Sequence, residues 1–289
     1  MSTRSIEHIF SPAQPHMVGD GFKVHNYIPS RIGGFERMDP FLMLDYNAPW
    51  QVPAGKRPLG VDVHPHRGFE TVTIAYQGRV AHHDSAGNSG VIGEGEVQWM
   101  TAASGVLHKE YHEEEFTRTG GTFQMVQLWV NLPAKYKMSP PKYQGITRDQ
   151  IAHYQLPSGM GELELIAGSY AGVQGPASTF SPVSLINAKL KAGGTAEFNF
   201  PAHHNTAVVI ISGTFNVNGR EARANDFVLL KNDGTQFTLE AIEAGIALVM
   251  SGEPLREPIA AHGPFVMNTR QQLIEAFNDF QAGKFGTLE

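Results

Sequence analysis

Six of the chain's 13 histidines fall between residues 64 and 112, which is about a sixth of its length. His64-Pro-His66 places two imidazoles two positions apart, and His108-Lys-Glu110 places an imidazole and a carboxylate at the same spacing. On a β-strand this spacing points both side chains of a pair to one face. If the two strands face each other, three imidazoles and a carboxylate converge. This donor set contains no sulfur and suits Fe(II), Mn, Ni, Cu or Zn. The six histidines are His64, His66, His82, His83, His108 and His112.

Two neighbouring residues are further candidates for the same site. Glu70 lies an even number of positions after His64 and His66, so on a continuous strand it would point to the same face. It could then replace Glu110 as a ligand, or hydrogen-bond to one of the ligands without contacting the metal. Arg67 is, by position only, a second candidate for such an outer role. For both side chains, an ordinary surface ion pair is at least as good an interpretation.

The remaining histidines form no pairs of this kind. His82 and His83 are adjacent and would point to opposite faces of a strand, so we expect them to be exposed or to support the ligands. His112 is predicted to be a bystander. In the second half of the chain His203 and His204 are again adjacent and cannot both face one metal from a strand. No metal is therefore predicted in that half.

Short strands separated by turn residues must carry these side chains. Residues 71–76 are β-branched and aromatic, and residues 97–100 begin another strand. Between residues 214–217 and 220–223, the pair Asn218-Gly219 favours a type I′ hairpin turn, because both residues tolerate positive φ. With 31 glycines and 18 prolines, the pattern predicts an all-β sandwich or barrel.

The C-terminal segment contains the clearest helix. Thr269 and Gln272 fit a capping box, apolar residues recur at helical spacing after them, and Gly283 is placed to end the helix. A shorter helix is predicted at residues 148–154.

The chain divides into two near-equal halves. Prolines cluster in residues 132–142, where apolar periodicity lapses, so the predicted domains are residues 1–133 and 134–289. The C-terminal helix belongs to the second of these domains. Residues 70–78 align with residues 205–213, which suggests two copies of one β-unit.

Composition and charge exclude several classes of protein. Without cysteine there is no disulfide framework, thiolate zinc site or cysteine nucleophile. A formal charge of −6 without a cluster of Lys and Arg argues against direct nucleic-acid binding. Apolar runs hold only a handful of residues, whereas a membrane span needs about 20, and residues 1–10 do not resemble a secretory signal. We expect a cytoplasmic protein that binds neither nucleic acid nor membrane.

The blocks that carry these residues resemble the pirin family of the cupin superfamily. The similarity centres on the histidine pairs and spans most of the chain. Ala103 departs from the broad cupin pattern, in which proline is usual, and Gly60 stands two positions later than the general motif has its glycine. These departures favour Glu110 over Glu70 as a ligand. The matching blocks are residues 39–45, 64–73, 84–87, 95–102, 105–110 and 263–268.

The resemblance implies a bicupin fold and a ligand set. The fold is all-β, with two face-to-face cupin barrels of the jelly-roll type and a C-terminal α-helix. One divalent metal ion is expected in the N-terminal barrel, held by His64, His66, His108 and Glu110. Fe(II) is the expected metal, with Zn, Mn, Ni or Cu as alternatives, and Glu110 would also act as a base.

The resemblance also implies a function. Pirin-like proteins, bacterial ones in particular, are associated with quercetin 2,3-dioxygenase activity, the O2-dependent opening of a flavonol ring with release of carbon monoxide. We therefore expect an oxidoreductase whose partners are a small aromatic, flavonol-like substrate and O2. The alternative is a non-enzymatic, redox-sensitive iron-binding co-regulator with protein partners. A cupin isomerase acting on sugar phosphates is a third interpretation, although no Lys or Arg cluster can be placed near the histidines.

Overall fold

The computed structural model describes residues 2–288, which are mostly β-strand. Within that range the α-helix α1 (Glu114–Thr119) and two 3-10 turns, Glu36–Met38 and Ala134–Tyr136, lie between strands, and the α-helix α2 (Arg270–Gln281) follows the last strand. None of the helices within residues 2–288 has the length and apolar composition of a membrane span. In chain order the strands are β1 (Ile6–Phe10), β2 (His16–Val18), β3 (Phe22–Ile28), β4 (Phe41–Val52), β5 (Gly60–His66), β6 (Phe69–Gln77), β7 (Val80–Asp84), β8 (Ser89–Ile92), β9 (Val97–Thr101), β10 (Val106–His112), β11 (Gly121–Asn131), β12 (Lys142–Ile146), β13 (Ala152–Gln155), β14 (Gly161–Ala167), β15 (Ser169–Tyr170), β16 (Val173–Gln174), β17 (Val183–Leu190), β18 (Thr195–Asn199), β19 (Asn205–Val217), β20 (Arg220–Arg223), β21 (Phe227–Leu230), β22 (Gln236–Gly252), β23 (Ala260–His262) and β24 (Phe265–Met267).

The described chain forms two compact units, each assembled from distant segments of the sequence. We call them the histidine unit and the second unit. The histidine unit contains residues 14–36, residues 40–148 and the segment from residue 255 onward. The second unit contains the segment up to residue 13, residues 37–39 and residues 149–254.

This division differs from the predicted domains, residues 1–133 and 134–289. The first strand, β1, pairs with β21 and so belongs to the second unit. The last helix, α2, packs in the histidine unit, where its apolar face meets Phe265 and Leu107. The chain passes between the units after residue 148, beyond the proline-rich segment at residues 132–142, and local composition does not reveal to which unit each end of the chain returns.

Two larger antiparallel sheets form most of the histidine unit, and β23 and β24 pair in a third sheet of two strands. A seven-stranded sheet has the order β12-β9-β6-β11-β4-β3-β2, and a four-stranded sheet has the order β5-β10-β7-β8. Side chains alternate between the two faces of each strand, so one set from each sheet points inward. These inward side chains pack together, and the two sheets therefore face each other. The apolar core between them contains Phe22, Val24, Val52, Ala75, Val80, Ile92, Phe116, Phe123 and Met125.

The second unit is organised around a nine-stranded sheet. Its order is β1-β21-β19-β22-β17-β14-β13, with β18 paired to β22 and β20 paired to β19. The predicted hairpin is confirmed here, because β19 and β20 are joined by Asn218 and Gly219 with φ of 48° and 79°. Both values lie in the left-handed region that a type I′ turn requires.

One of the two predicted helices is confirmed. In α2, Thr269 Oγ1 accepts a hydrogen bond from the Gln272 amide at 3.2 Å, and Gln272 Oε1 accepts one from the Thr269 amide at 3.1 Å. The helix predicted at residues 148–154 is wrong, because Ala152–Gln155 forms strand β13 and pairs with β14. Pairing with a neighbouring strand outweighs the weak helical preference of so short a segment.

Candidate metal centre

The four-stranded sheet brings the histidine pairs to one surface. In the register of β5 and β10, His108 lies opposite His64, and in the register of β10 and β7, Glu110 lies opposite His82. Residues opposite each other on antiparallel strands point to the same face, and so do residues two positions apart on one strand. The face that points toward the seven-stranded sheet therefore carries His64, His66, His82, Asp84, His108 and Glu110.

Three imidazoles form a compact group on this face. The ring centres of His64 and His108 are 4.2 Å apart, those of His66 and His108 are 4.7 Å apart, and those of His64 and His66 are 4.8 Å apart. The ligand atoms of this trio all lie within 4.8 Å of one another. Glu110 forms a second trio with His82 and His108, in which the ligand atoms also lie within 4.8 Å of one another. The predicted ligands are therefore brought together as two overlapping groups that share His108.

Main-chain carbonyls select the tautomers of two of these histidines. His64 Nδ1 lies 2.8 Å from the Asp62 carbonyl oxygen, and His66 Nδ1 lies 3.3 Å from that of Pro264. A carbonyl only accepts, so each Nδ1 carries the proton and each Nε2 keeps its lone pair. The same arrangement fixes the ring orientation of metal-bound histidines.

The third imidazole has an uncommitted nitrogen of its own. His108 Nε2 is buried and has no hydrogen-bond partner among residues 2–288. Burial, reinforced by neighbouring imidazoles, places the pKa values of His66 and His108 well below the usual value, so both rings are neutral. A neutral imidazole with a free Nε2 is the form that binds a divalent metal. The donor set thus fits the expected ion.

Two polar side chains of the seven-stranded sheet hold Glu110. Thr73 Oγ1 lies 3.2 Å from Glu110 Oε1, and Gln127 Nε2 donates to Glu110 Oε2 at 3.4 Å. Thr73 Oγ1 donates to Gln127 Oε1 at 2.6 Å, which joins these two side chains to each other. Glu110 is only 6% exposed, so these contacts determine where its carboxylate lies.

His82 and Asp84 lie behind the trio on the same face. His82 is fully buried, its Nδ1 is 3.5 Å from His108 Nδ1, and its Nε2 is 3.5 Å from Asp84 Oδ2. Burial alone would raise the pKa of Asp84, but His82 and hydrogen bonds from Asn88 lower it by more, so the pKa lies below its usual value. His82 therefore lies between a ligand candidate and a carboxylate. The predicted supporting role for His82 stays a prediction.

An apolar cavity of about 190 Å³ opens beside the trio. Trp129 contacts His66 with ring centres 5.2 Å apart and stacks on Phe69 at 4.2 Å. Both sheets contribute walls, so a molecule in the cavity would touch the imidazoles on one side and the seven-stranded sheet on the other. The lining residues are Val18, Phe22, Val24, Met43, Asp45, Val61, His64, His66, Glu110, Met125, Gln127 and Trp129.

Family models match both halves of the sequence. The model of the family described as Pirin matches residues 21–130, and the Pirin C-terminal cupin domain matches residues 185–286. Together they account for more than half of the chain. The chain belongs to the pirin family. The resemblance stated from the sequence is thereby confirmed, and so is the all-β bicupin fold.

Individual pirin relatives extend the similarity over nearly the whole chain. A Pseudomonas aeruginosa protein provisionally named quercetin 2,3-dioxygenase is 49% identical over 96% of both chains. A pirin-like protein of Caulobacter vibrioides is 38% identical over 86% of this chain and 88% of its own. The crystal structure of a quercetin 2,3-dioxygenase from Acinetobacter baumannii is 45% identical, covers 100% of both chains and superimposes with a TM-score of 0.94.

Within this pirin fold, Glu70 lies apart from the histidine trio. Strand β5 ends at His66, and Gly68 turns the chain with φ of 90° before β6 begins, so parity does not carry across the turn. Thr73 faces Glu110, and Glu70, three residues earlier on the same strand, therefore lies on the opposite face. There its Oε1 accepts a hydrogen bond from Thr101 Oγ1 at 2.7 Å.

Arg67 also has partners other than the imidazoles. Its Nε donates to the Ser104 carbonyl at 2.6 Å, and its Nη1 pairs with Asp279 Oδ2 on α2 at 3.0 Å. The side chain is almost fully buried. Arg67 therefore connects α2 to the turn between β5 and β6.

The other histidines have separate environments. His83 Nδ1 lies 3.0 Å from the hydroxyl oxygen of Tyr111 on the outer face of the sheet. His112 packs among aromatic rings, including Phe22 and Phe123, and burial lowers its pKa to about 4. In the second unit His153 Nδ1 lies 3.3 Å from a carboxylate oxygen of Glu162, near the surface.

Several residues at this site escaped the sequence analysis. Thr73, Gln127, Trp129 and Asp45 come from strands of the seven-stranded sheet and approach the histidines only after folding. Their sequence context is that of ordinary strand residues. Asp45 and Thr73 each had one signal, because they lie in blocks that resemble the pirin family, but that signal does not specify a role.

Proposed function

We propose that this chain is a metal-dependent dioxygenase of the pirin type, which opens a flavonol ring with O2 and releases carbon monoxide. The mononuclear site would consist of His64, His66, His108 and Glu110. One observation carries the proposal: three imidazoles with uncommitted Nε2 atoms and a buried carboxylate gather beside a cavity. The names of the Pseudomonas and Acinetobacter relatives support the choice of reaction.

The expected cofactor is one divalent ion, Fe(II) in the first instance. When bound, such an ion would act as a Lewis acid toward adjacent oxygens of the substrate and provide the redox chemistry that O2 requires. Three nitrogens and one oxygen are donors that redox-active first-row metals accept.

The chain's own residues would hold the proton and the ring. A carboxylate oxygen of Glu110 would accept the proton of the substrate's enolic hydroxyl, and Thr73 and Gln127 keep that carboxylate in place. The apolar walls, with Trp129 and Phe22, would receive the flat face of the ring system and exclude water.

The size of the cavity limits how a flavonol would bind. At about 190 Å³ it lies below the roughly 300 Å³ at which sites for drug-sized ligands begin. We infer that the chelating edge enters the cavity and that the rest of the molecule extends beyond it.

The test is an oxygen-uptake assay on protein loaded with Fe(II) under anaerobic conditions. On addition of quercetin and O2, we expect both to be consumed and carbon monoxide to be released. Metal-free protein and His64→Ala are the controls. Consumption of neither reactant above these controls would contradict the proposal.

A further inference from the structure

Asp45 is the polar group of the cavity that the histidine cluster does not use. It lies on β4 of the seven-stranded sheet, whereas His64 and His66 lie on β5 of the four-stranded sheet. The two sheets face each other across the cavity. A bound molecule would therefore meet Asp45 on the wall opposite the imidazoles.

Asp45 belongs to a row of polar residues that crosses the seven-stranded sheet. In the registers of neighbouring strands, Asn26 lies opposite Asp45, Asp45 lies opposite Gln127, and Gln127 lies opposite Thr73. The Thr73 and Gln127 end of the row hydrogen-bonds to Glu110. Asp45 makes no such contact, so its carboxyl is available to a different partner.

The contacts of Asp45 do not explain why a carboxyl is present in this wall. Among residues 2–288 it accepts one hydrogen bond, from Asn26 Nδ2 to its Oδ1 at 2.7 Å, and no Lys or Arg pairs with it. It is only 8% exposed, and most of the cavity lining around it is apolar. Burial raises its pKa, which His16 and Asn26 only partly offset. A buried carboxyl with one neutral donor costs folding free energy, so a purely structural role explains it poorly.

The donor itself is held firmly in place. Asn26 Nδ2 also donates to the Ile28 carbonyl at 2.8 Å, and its Oδ1 accepts from the Ser30 amide at 3.2 Å. Asn26 thereby fixes one oxygen of Asp45 and leaves the other for a ligand. This is the arrangement of a preorganised acceptor.

We propose that Asp45 is a specificity-determining residue whose carboxyl accepts a hydrogen bond from a peripheral hydroxyl group of the substrate. The substrate class is then a compact aromatic molecule with two chelating oxygens on one edge and a hydroxyl donor on another. The inference rests on the proposed function for the chelating edge only. It predicts that Asp45 distinguishes a polyhydroxylated ring system from the same ring system without those hydroxyls.

The test compares two probes that share the chelating 3-hydroxy-4-keto edge. Quercetin carries additional hydroxyls, and 3-hydroxyflavone does not. Their dissociation constants are measured by anaerobic titration calorimetry, which needs no turnover, for the unaltered protein, Asp45→Asn, Asp45→Leu and the control Glu94→Gln, whose carboxylate is exposed. Thermal unfolding of each variant reports its folding.

A hydrogen bond from a quercetin hydroxyl to the Asp45 carboxyl implies that the unaltered protein and Glu94→Gln bind quercetin about tenfold more tightly than 3-hydroxyflavone. Asp45→Leu should bring this preference to within about threefold without weakening the binding of 3-hydroxyflavone. Asp45→Asn keeps a neutral acceptor and should fall in between. If Asp45→Leu does not fold, the drop in preference of Asp45→Asn decides the question.

Three results would overturn the inference: an unchanged preference in the folded Asp45 variants, an equal weakening of both probes, or no binding of either probe to the unaltered protein. The proposed function fails separately, by the oxygen-uptake assay. Absence of uptake together with a preference that depends on Asp45 would refute the dioxygenase reaction and leave the role of Asp45 intact.

Discussion

At the scale of single residues, the candidate metal centre depends on which nitrogen of each imidazole is free. Backbone carbonyls bind Nδ1 of His64 and His66, so the free Nε2 atoms are set by the chain path itself. Glu110 is different, because side chains of the opposite sheet hold it. Substitutions of residues other than the four proposed ligands should therefore change metal binding mainly by changing the position of the Glu110 carboxylate.

The first prediction concerns the side chains that position Glu110. Thr73→Val preserves the shape of the side chain but removes a hydroxyl that lies 3.2 Å from the carboxylate and donates to Gln127, and loss of such an outer partner typically weakens metal binding about 10- to 100-fold. The affinity is measured by competition with a chelator of known strength. Thr71→Val is the matched control, because Thr71 Oγ1 is buried on the same strand without a hydrogen-bond partner among residues 2–288. Equal affinities for the two variants would contradict the role of Thr73.

The second prediction concerns the pH dependence of stability through Glu70. Burial raises the pKa of Glu70 to about 7, against 4.5 for the free side chain, although Thr101 lowers it somewhat. Folding thus favours the protonated carboxyl, and its contribution to stability, present below pH 4.5, is lost as the pH rises toward 7. The difference corresponds to about 3 kcal/mol.

Glu70→Gln imitates the protonated form, so we expect it to unfold at higher urea concentration than the unaltered protein at pH 8. The gain should disappear near pH 4.5. Urea titrations at the two pH values measure it. A stability difference that does not change with pH would show that Glu70 does not titrate as described.

The sequence predicted the orientation of some of these residues but not of others, and the difference has a physical reason. Spacing along one strand predicted that His64 and His66 share a face. It could not predict that His82 lies opposite Glu110, because the register between strands depends on contacts formed across the sheet. It also misplaced Glu70, since the turn at Gly68 interrupts the alternation.

At the scale of elements, α2 connects the C-terminal segment to the sheet that carries the histidines. Its Ala276 and Phe277 pack with Phe265 and Leu107, and Leu107 is a neighbour of His108 on β10. The capping signal in the sequence was sufficient to locate the helix. The helix's place in the histidine unit was not predictable, because it depends on contacts such as Arg67 with Asp279, 212 positions apart.

The third prediction tests the cap of this helix. Thr269→Ala removes the side-chain acceptor of the capping box and should lower the free energy of unfolding by about 1 kcal/mol. Thr269→Ser retains the hydroxyl and is the control. Amide hydrogen exchange of the first helical turn reports the effect locally. Identical exchange in both variants would mean that the cap does not hold this end of the helix.

At the scale of the whole molecule, the histidine unit is held together by contacts between segments far apart in the chain. Lys137 is almost fully buried and donates from Nζ to the Gly68 carbonyl at 2.6 Å, to Asn131 Oδ1 at 2.6 Å and to the Val266 carbonyl at 3.0 Å. Three acceptors from three segments thus share one ammonium group. The turn at Gly68 leads directly from His66, so this contact also supports the site.

The fourth prediction is that Lys137→Met destabilises the protein strongly. The methionine fills a similar volume but leaves three buried acceptors without a donor, at a cost of about 3 kcal/mol or more. Lys135→Met, at an exposed position, is the control and should change stability by less than about 1 kcal/mol. The comparison is made by urea unfolding. Similar midpoints for the two variants would contradict this account.

The central claim is that the histidine trio and Glu110 bind one divalent metal ion. The most direct measurement is the metal content, by mass spectrometry, of protein purified without chelators or metal-affinity tags. We predict about one divalent ion per chain, loss of the ion in His66→Ala, and retention in His83→Ala, whose imidazole lies on the outer face of the same sheet. Protein without a stoichiometric ion, or a His66→Ala variant that keeps it, would contradict the claim.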